Sequence, residues 1–251
     1  MLQSADLHRD VWRASDRAHA TVATVPAGHA ALSAWLPDEG WPLGQLIEIL
    51  TDRPGCGELS LLVPAMLALS GKCPIVLLRP PLIPNMQAWQ QWQIDLHRLW
   101  WIQPAGLHDA WWSAEQILRS QCAAALLCWA DPIDARLLRR LHLSAQASDT
   151  LFVMFRPRDS ASLFSPAVLR LELIADSAQG PSLRLLKSRG PKPAHDISLR
   201  GEPGSVSTMC TTDSSPSAET GARSNPQTVC DVPDRRSARA GLRAVERSQV
   251  V

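Results

Sequence analysis

Gln45–Leu50 reads QLIEIL and Thr51–Ser60 reads TDRPGCGELS. The first segment is rich in Ile and Leu and has turn residues on both sides, which predicts a β-strand. The D-R-P-G-C-G run that follows predicts a tight loop. Glu58–Ser70 then shows helical apolar spacing, with Pro64 as an expected kink and Gly71 as the stop. Strand, Gly-containing loop and helix in that order begin an α/β fold.

The same alternation continues outward. Pro74–Leu78 (PIVLL) reads as a strand covered on both faces. Asn85–Gln93 reads as a helix with Asn85 as its N-cap. Leu99–Ile102 is the third strand, His108–Ser120 a helix with Asp109 near its start, and Ala123–Trp129 (AAALLCW) the fourth strand. Pro132–Ala147 reads as an amphipathic helix with Leu137, Leu138, Leu141 and Leu143 on or near one face. Leu151–Phe155 is the fifth strand, and Val168–Ile174 with Leu183–Leu186 suggests a closing hairpin. Units of about 25–30 residues predict a mostly parallel sheet with helices on both faces.

Composition divides the 251 residues into three zones. Residues 1–20 are polar, 21–190 carry the apolar runs, and 191–251 are rich in Pro, Ser, Thr, Gly and Arg. From residue 200 onward too little apolar surface is present to offset ordering entropy, so this tail is expected to be disordered. Net charge is +1, which excludes a strongly basic nucleic-acid coat. Residues 1–183 hold 14 Lys/Arg against 17 Asp/Glu, and 184–251 hold 11 against 7. The expected arrangement is a slightly acidic body with a basic tail. There is no apolar secretory segment and no run long enough to span a membrane, so a cytoplasmic protein is expected. The six Cys lack metal or disulfide spacing and are expected to be reduced thiols, with no metal site.

A phosphate-binding loop needs G-x-x-x-x-G-K-[ST]: backbone N–H groups and a Lys for the phosphates, and a hydroxyl for Mg²⁺. Aligning Gly57 with the last Gly puts Glu58 at the Lys position and Leu59 at the hydroxyl position. A carboxylate there repels a triphosphate, while at a helix N-terminus it is favoured by the dipole. Gly55, Gly57, Glu58 and Leu59 therefore predict a degenerate, non-functional phosphate loop, with Glu58 in the place of the anion. Arg79–Asn85 (RPPLIPN) offers no carboxylate to orient water. Asp131 ends the fourth strand, and with Pro132 beside it reads as the N-cap of the next helix. No catalytic constellation and no cofactor site are expected.

These segments resemble a known family. Thr21–Leu50 (TVPAGHAALSAWLPDEGWPLGQLIEIL) looks like the entry to the RecA ATPase core, and AAALLCWAD is similar to its Walker B strand. A closer likeness is to the ImuA-type proteins, degenerate RecA-like relatives that also resemble SulA. It is carried by WPLGQLIEIL, RPGCGELSLLVPAM, the RPP…P…AW segment, WWIQP, AAALLCW and LFVMFRP, and spans roughly residues 21–190. The chain departs from the pattern at Asp38–Glu39, where glycines are expected before Gly40.

The resemblance implies a RecA-like doubly wound sheet. It also implies a non-enzymatic accessory factor of SOS-induced translesion synthesis. Implied partners are an ImuB-type inactive Y-family polymerase relative, RecA, and an error-prone C-family polymerase. The alternatives are a SulA-type cell-division inhibitor and a weak DNA-dependent RecA-like ATPase.

Ten Trp beside three Phe and no Tyr raise the question of partner surfaces. Trp100 and Trp101 are expected to be buried on opposite faces of a two-sided sheet. Trp111 and Trp112 lie about 100° apart on a helix, so one of them is a candidate interface residue. Arg136, Arg139 and Arg140 lie off the apolar face of their helix and are candidates for DNA phosphate or acidic-partner contact. Arg235, Arg236, Arg239 and Arg243 recur at spacings that a bound helix presents together.

Overall fold

The structure is a computed structural model, and it describes residues 23–71, 73–176, 180–188 and 195–198. Of the predicted tail, 191–251, residues 195–198 are described and hold a short strand at Ile197–Ser198; the segment from residue 200 onward, with its arginines, lies outside the described residues. The elements in order are β1 (Thr24–Pro26), α1 (Ala30–Ser33), β2 (Gly40–Pro42), β3 (Leu46–Thr51), α2 (Val63–Leu69), β4 (Ile75–Leu78), α3 (Met86–Gln91), β5 (Leu99–Ile102), α4 (Leu107–Ser120), β6 (Ala125–Cys128), α5 (Ala135–Ala145), β7 (Leu151–Pro157), β8 (Leu169–Asp176), β9 (Gly180–Lys187) and β10 (Ile197–Ser198).

Eight strands form one sheet in the order β10-β9-β8-β3-β7-β6-β4-β5. The pairs from β8 to β5 are all parallel, and β9 pairs antiparallel with both β8 and β10. The fold is thus α/β with a mostly parallel sheet. Period-two alternation sorts the strand residues. Ile47, Ile49, Leu77, Leu127 and Val153 face a core completed by Met66 of α2, Trp89 of α3 and Trp41 of β2. Leu46, Val76, Leu126, Phe152 and Met154 face a second core, under Ala114 and Leu118 of α4 and Leu138 and Leu141 of α5. Burying each Leu, Ile or Phe side chain contributes roughly 1.5–3 kcal/mol.

Helix boundaries follow local chemistry. The Asn85 side chain accepts from the Gln87 and Ala88 N–H groups and starts α3 as expected. Pro64 is not a kink: it occupies the first turn of α2, where a missing N–H costs nothing, after a short 3-10 turn at Ser60–Leu62. Leu138 and Leu141 are buried, but Leu143 is exposed, because two residues past Leu141 lies on the far side of α5.

Two expectations fail at this level. Trp100 and Trp101 are not enclosed: both are 45% exposed. Their strand, β5, is the outermost strand beside β4, with no neighbour on its other side among the described residues. Asp131 does not cap α5. Asp134 does, accepting from the Leu137 N–H at 2.7 Å, and Asp131 is drawn to Arg156 instead.

Asp38 and Glu39 have φ of 51° and 57°. The two residues that stand where glycines were expected thus take the left-handed backbone that glycine adopts without cost. This turn leads into β2, whose Gly40 pairs with Pro26 of β1.

Candidate functional site: a self-closed loop beside an apolar cleft

The β3–α2 loop leaves the sheet at Thr51, between the parallel neighbours β7 and β8. Gly55 and Gly57 both have positive φ, 80° and 104°, which lets the backbone turn sharply enough to direct N–H groups inward. The Glu58 side chain folds back into this turn. Its Oε1 accepts the Gly55 N–H at 2.7 Å, and the residue is 4% exposed. Ser60 Oγ donates to the Gly57 carbonyl at 2.7 Å. Thr51 Oγ1 donates to the Arg53 carbonyl at 2.9 Å and lies 3.0 Å from Cys56 Sγ. Burial raises the Cys56 thiol above its ordinary pKa; the Thr51 hydrogen bond lowers it, and the Glu58 charge adds to the rise. Leu59 packs partly buried against the first core. Three of the loop's polar contacts are thus made by its own side chains, and the Glu58 carboxylate occupies the turn between Gly55 and Gly57.

Beside the loop lies a cleft of about 170 Å³, walled by Pro54, Gly55, Glu58 and Leu59, the Pro80–Asn85 segment, Trp89 and Trp92 beside α3, and Trp129. Trp129 stacks on Phe155 with centroids 4.4 Å apart, and Trp89 meets Trp92 edge-on at 5.4 Å. Leu82 and Ile83 on its border are exposed.

A buried charge network lies on the other face of the sheet, and it was not foreseen from the sequence. Glu48 of β3 is fully buried between Arg156 of β7 and Arg170 of β8. Arg156 also binds Asp131 at 2.8 Å. Arg170 donates further to the carbonyls of Ser160, Ala161 and Leu163. Glu172, next on β8, meets Arg158 and Arg184. Asp131, which follows β6, is thus held in an ion pair. The available signal was a charged residue inside each apolar strand: Glu48 in LIEIL, Arg156 in LFVMFRP, Arg170 and Glu172 in LRLELI.

The remaining candidates separate. Trp111 is buried in the second core, which removes it as a contact residue, while Trp112 is 59% exposed on α4. Arg136, Arg139 and Arg140 are all exposed on α5, and Arg140 reaches Glu115 of α4 at 3.2 Å. Trp112 on α4 and the three arginines on α5 are thus each exposed to solvent. The structure does not bring them to the loop, which packs against the opposite core. Cys56, Cys73, Cys122 and Cys128 are reduced thiols, and Cys128 is pushed up to about 12 by complete burial. Among the described residues no group of three or more His, Cys, Asp or Glu is placed to hold a metal, and no helix is long and apolar enough to cross a membrane.

No protein-family model matches the chain, and no curated protein is similar to it by sequence. Among solved structures, SulA from Pseudomonas aeruginosa is similar at 19% identity with a TM-score of 0.37, over 44% of this chain and 97% of that one. The geometry by itself establishes an α/β chain whose β3–α2 loop closes on its own Glu58 carboxylate.

Proposed function

We propose that this chain is a non-catalytic adaptor of an SOS-induced translesion-synthesis assembly, built on a RecA-like doubly wound core. In this reading it joins an ImuB-type inactive polymerase relative and an error-prone C-family polymerase to RecA. The single observation that carries it is the 2.7 Å bond from the Gly55 N–H to Glu58 Oε1. A nucleotide-type loop that spends its donor on its own carboxylate, and lacks the Lys, is suited to shape rather than phosphate chemistry. The partners come from the resemblance over residues 21–190. The exposed Trp112 and Arg136, Arg139 and Arg140 supply an aromatic and basic surface of the kind that protein and DNA partners use.

The test is genetic and biochemical. Deleting the gene should abolish damage-induced mutagenesis without filamentation defects, and tagged chain should retain the polymerase relative and RecA. Normal induced mutagenesis in the deletion strain would reject the reading, and filamentation on overexpression would favour the division-inhibitor alternative.

A further inference from the structure

The two ends of the sheet are finished differently. At one end β10 is only two residues long, and Arg184 of β9 pairs with Asp196 beside it. Short strands and charges are the usual guards of an open edge. At the other end β5 has neither guard. Leu99–Gln103 reads LWWIQ, with no charge and no Pro, and its register with β4 runs without a bulge. The Ile102 carbonyl accepts the Arg79 N–H at 2.9 Å, so it points toward β4. Across a trans peptide the N–H points the opposite way, which turns the Gln103 N–H to the open side. By the period of two, both backbone groups of Trp101 and the Leu99 carbonyl point there as well. None of these four groups has a hydrogen-bond partner among the described residues. The Leu99 N–H is spent on the Leu96 carbonyl.

A row of donors and acceptors at a sheet edge is complemented by another strand. The spacing shows which one. A two-fold axis normal to the sheet sets β5 antiparallel to β5 of a second copy, and only registers that pair residues of one face are allowed. If Trp100 stood opposite its own counterpart, each copy would donate only the Trp101 N–H to the Leu99 carbonyl, because the Leu99 N–H is taken. If Trp101 stands opposite its own counterpart, each copy donates its Trp101 N–H to the Trp101 carbonyl and its Gln103 N–H to the Leu99 carbonyl. The second register uses all four open groups. It also covers both exposed indoles. Trp101 shares the face of Leu77 and meets its twin, while Trp100 shares the face of Val76 and meets Ile102. Arg98 falls opposite Pro104, so its charge is not set against itself.

We propose that the β5 edge is a self-association surface, on which a second copy of this chain pairs antiparallel about Trp101 and continues the sheet through a two-fold axis. This goes beyond the adaptor reading and does not depend on it. The contact is one strand edge and four indoles, at the small end of specific interfaces, so the pair should dissociate on dilution.

Sedimentation velocity of the full chain from about 1 µM to about 100 µM should show the mass doubling and then stopping, since a two-fold contact closes at two. Trp101→Lys sets two like charges face to face and should weaken association at least about tenfold. Gln103→Pro, at an exposed position, removes the donor to the Leu99 carbonyl and should weaken it in the same direction if the lysine variant fails to fold. Leu143→Lys, on the exposed side of α5, should leave the dimer intact. In the register given, Trp100 lies beside Ile102 of the second copy at a spacing a disulfide can bridge. The double variant Trp100→Cys, Ile102→Cys should therefore give a covalent dimer on mild oxidation, and the wild type, with its native Cys alone, should not. A chain that stays monomeric at the highest concentration overturns the proposal. So does a mass that climbs past two copies, which would mark head-to-tail strand addition. A dimer that survives both Trp101→Lys and Gln103→Pro, one that is lost in Leu143→Lys, or one that gives no covalent product with the paired cysteines also overturns it.

Discussion

Arg156 Nη1 lies 3.1 Å from Glu48 Oε1, with the two side chains 2% and 0% exposed, at the centre of the parallel sheet. The second oxygen of Glu48 takes Arg170 Nε at 2.6 Å. Two guanidinium groups thus share one carboxylate that water does not reach. Removing one member of a buried set leaves uncompensated charge and typically costs about 3–5 kcal/mol. Glu48→Ala should therefore lower unfolding free energy by about that much in urea titration. A loss below about 1 kcal/mol would mean that the arginines find water or other acceptors.

Glu58 governs the nucleotide question. With its carboxylate on the Gly55 N–H, the wild-type chain should melt at the same temperature with and without millimolar Mg²⁺-ATP, because a ligand that does not bind the native state cannot stabilise it. A rise of several degrees would instead favour the weak-ATPase alternative.

The adjacent tryptophans on α4 should behave oppositely. Trp111→Ala empties a core position and should cost about 3–5 kcal/mol in stability. Trp112→Ala should stay within about 0.5 kcal/mol on folding and weaken retention of the polymerase relative or RecA in pull-down. Unchanged retention would remove the α4–α5 surface from partner binding.

Cys128 makes stability fall at high pH. Its thiol ionises near 9.0 when unfolded and only at about 12 in the folded chain, because burial disfavours the thiolate. Between those values unfolding releases a proton, so the native state loses stability as pH rises, by at most about 1.4 kcal/mol per pH unit. The contribution is complete below pH 9 and lost toward pH 12. Denaturation of the wild type and Cys128→Ala between about pH 9 and 10.5 should show a steeper decline in the wild type. Parallel declines would place the proton elsewhere.

Glu39→Gly should stabilise the protein by about 0.5–1 kcal/mol, since it removes a left-handed non-glycine residue and repays only part of that in unfolded-state entropy. Glu39→Ala, which keeps the Cβ, should not reproduce the gain. Thermal melts of the two variants separate backbone relief from loss of charge.

Local chemistry was legible in the chain. Asn85 announced its helix, QLIEIL and LFVMFRP announced their strands, and the missing Lys beside Gly57 was plain. What could not be read was set by contacts between distant segments. Glu48 meets Arg170 across 122 residues, and neither residue type reports its partner. Strand order is of the same kind: LWWI reads as a buried strand until the crossovers leave β5 at the edge. Two Asp residues three apart compete for the role of N-cap, and Arg156, from another strand, decides between them. The cleft was invisible for the same reason, since Glu58 and Trp129 belong to different strand ends.

The Glu58 carboxylate is a ligand carried in cis. It is never diluted, and for so short a tether its effective concentration is of millimolar order or above. Any free anion approaching the Gly55 N–H must displace it, and must do so against its negative charge. The turn at Gly55 is therefore closed by a group the chain supplies itself, without a bound anion.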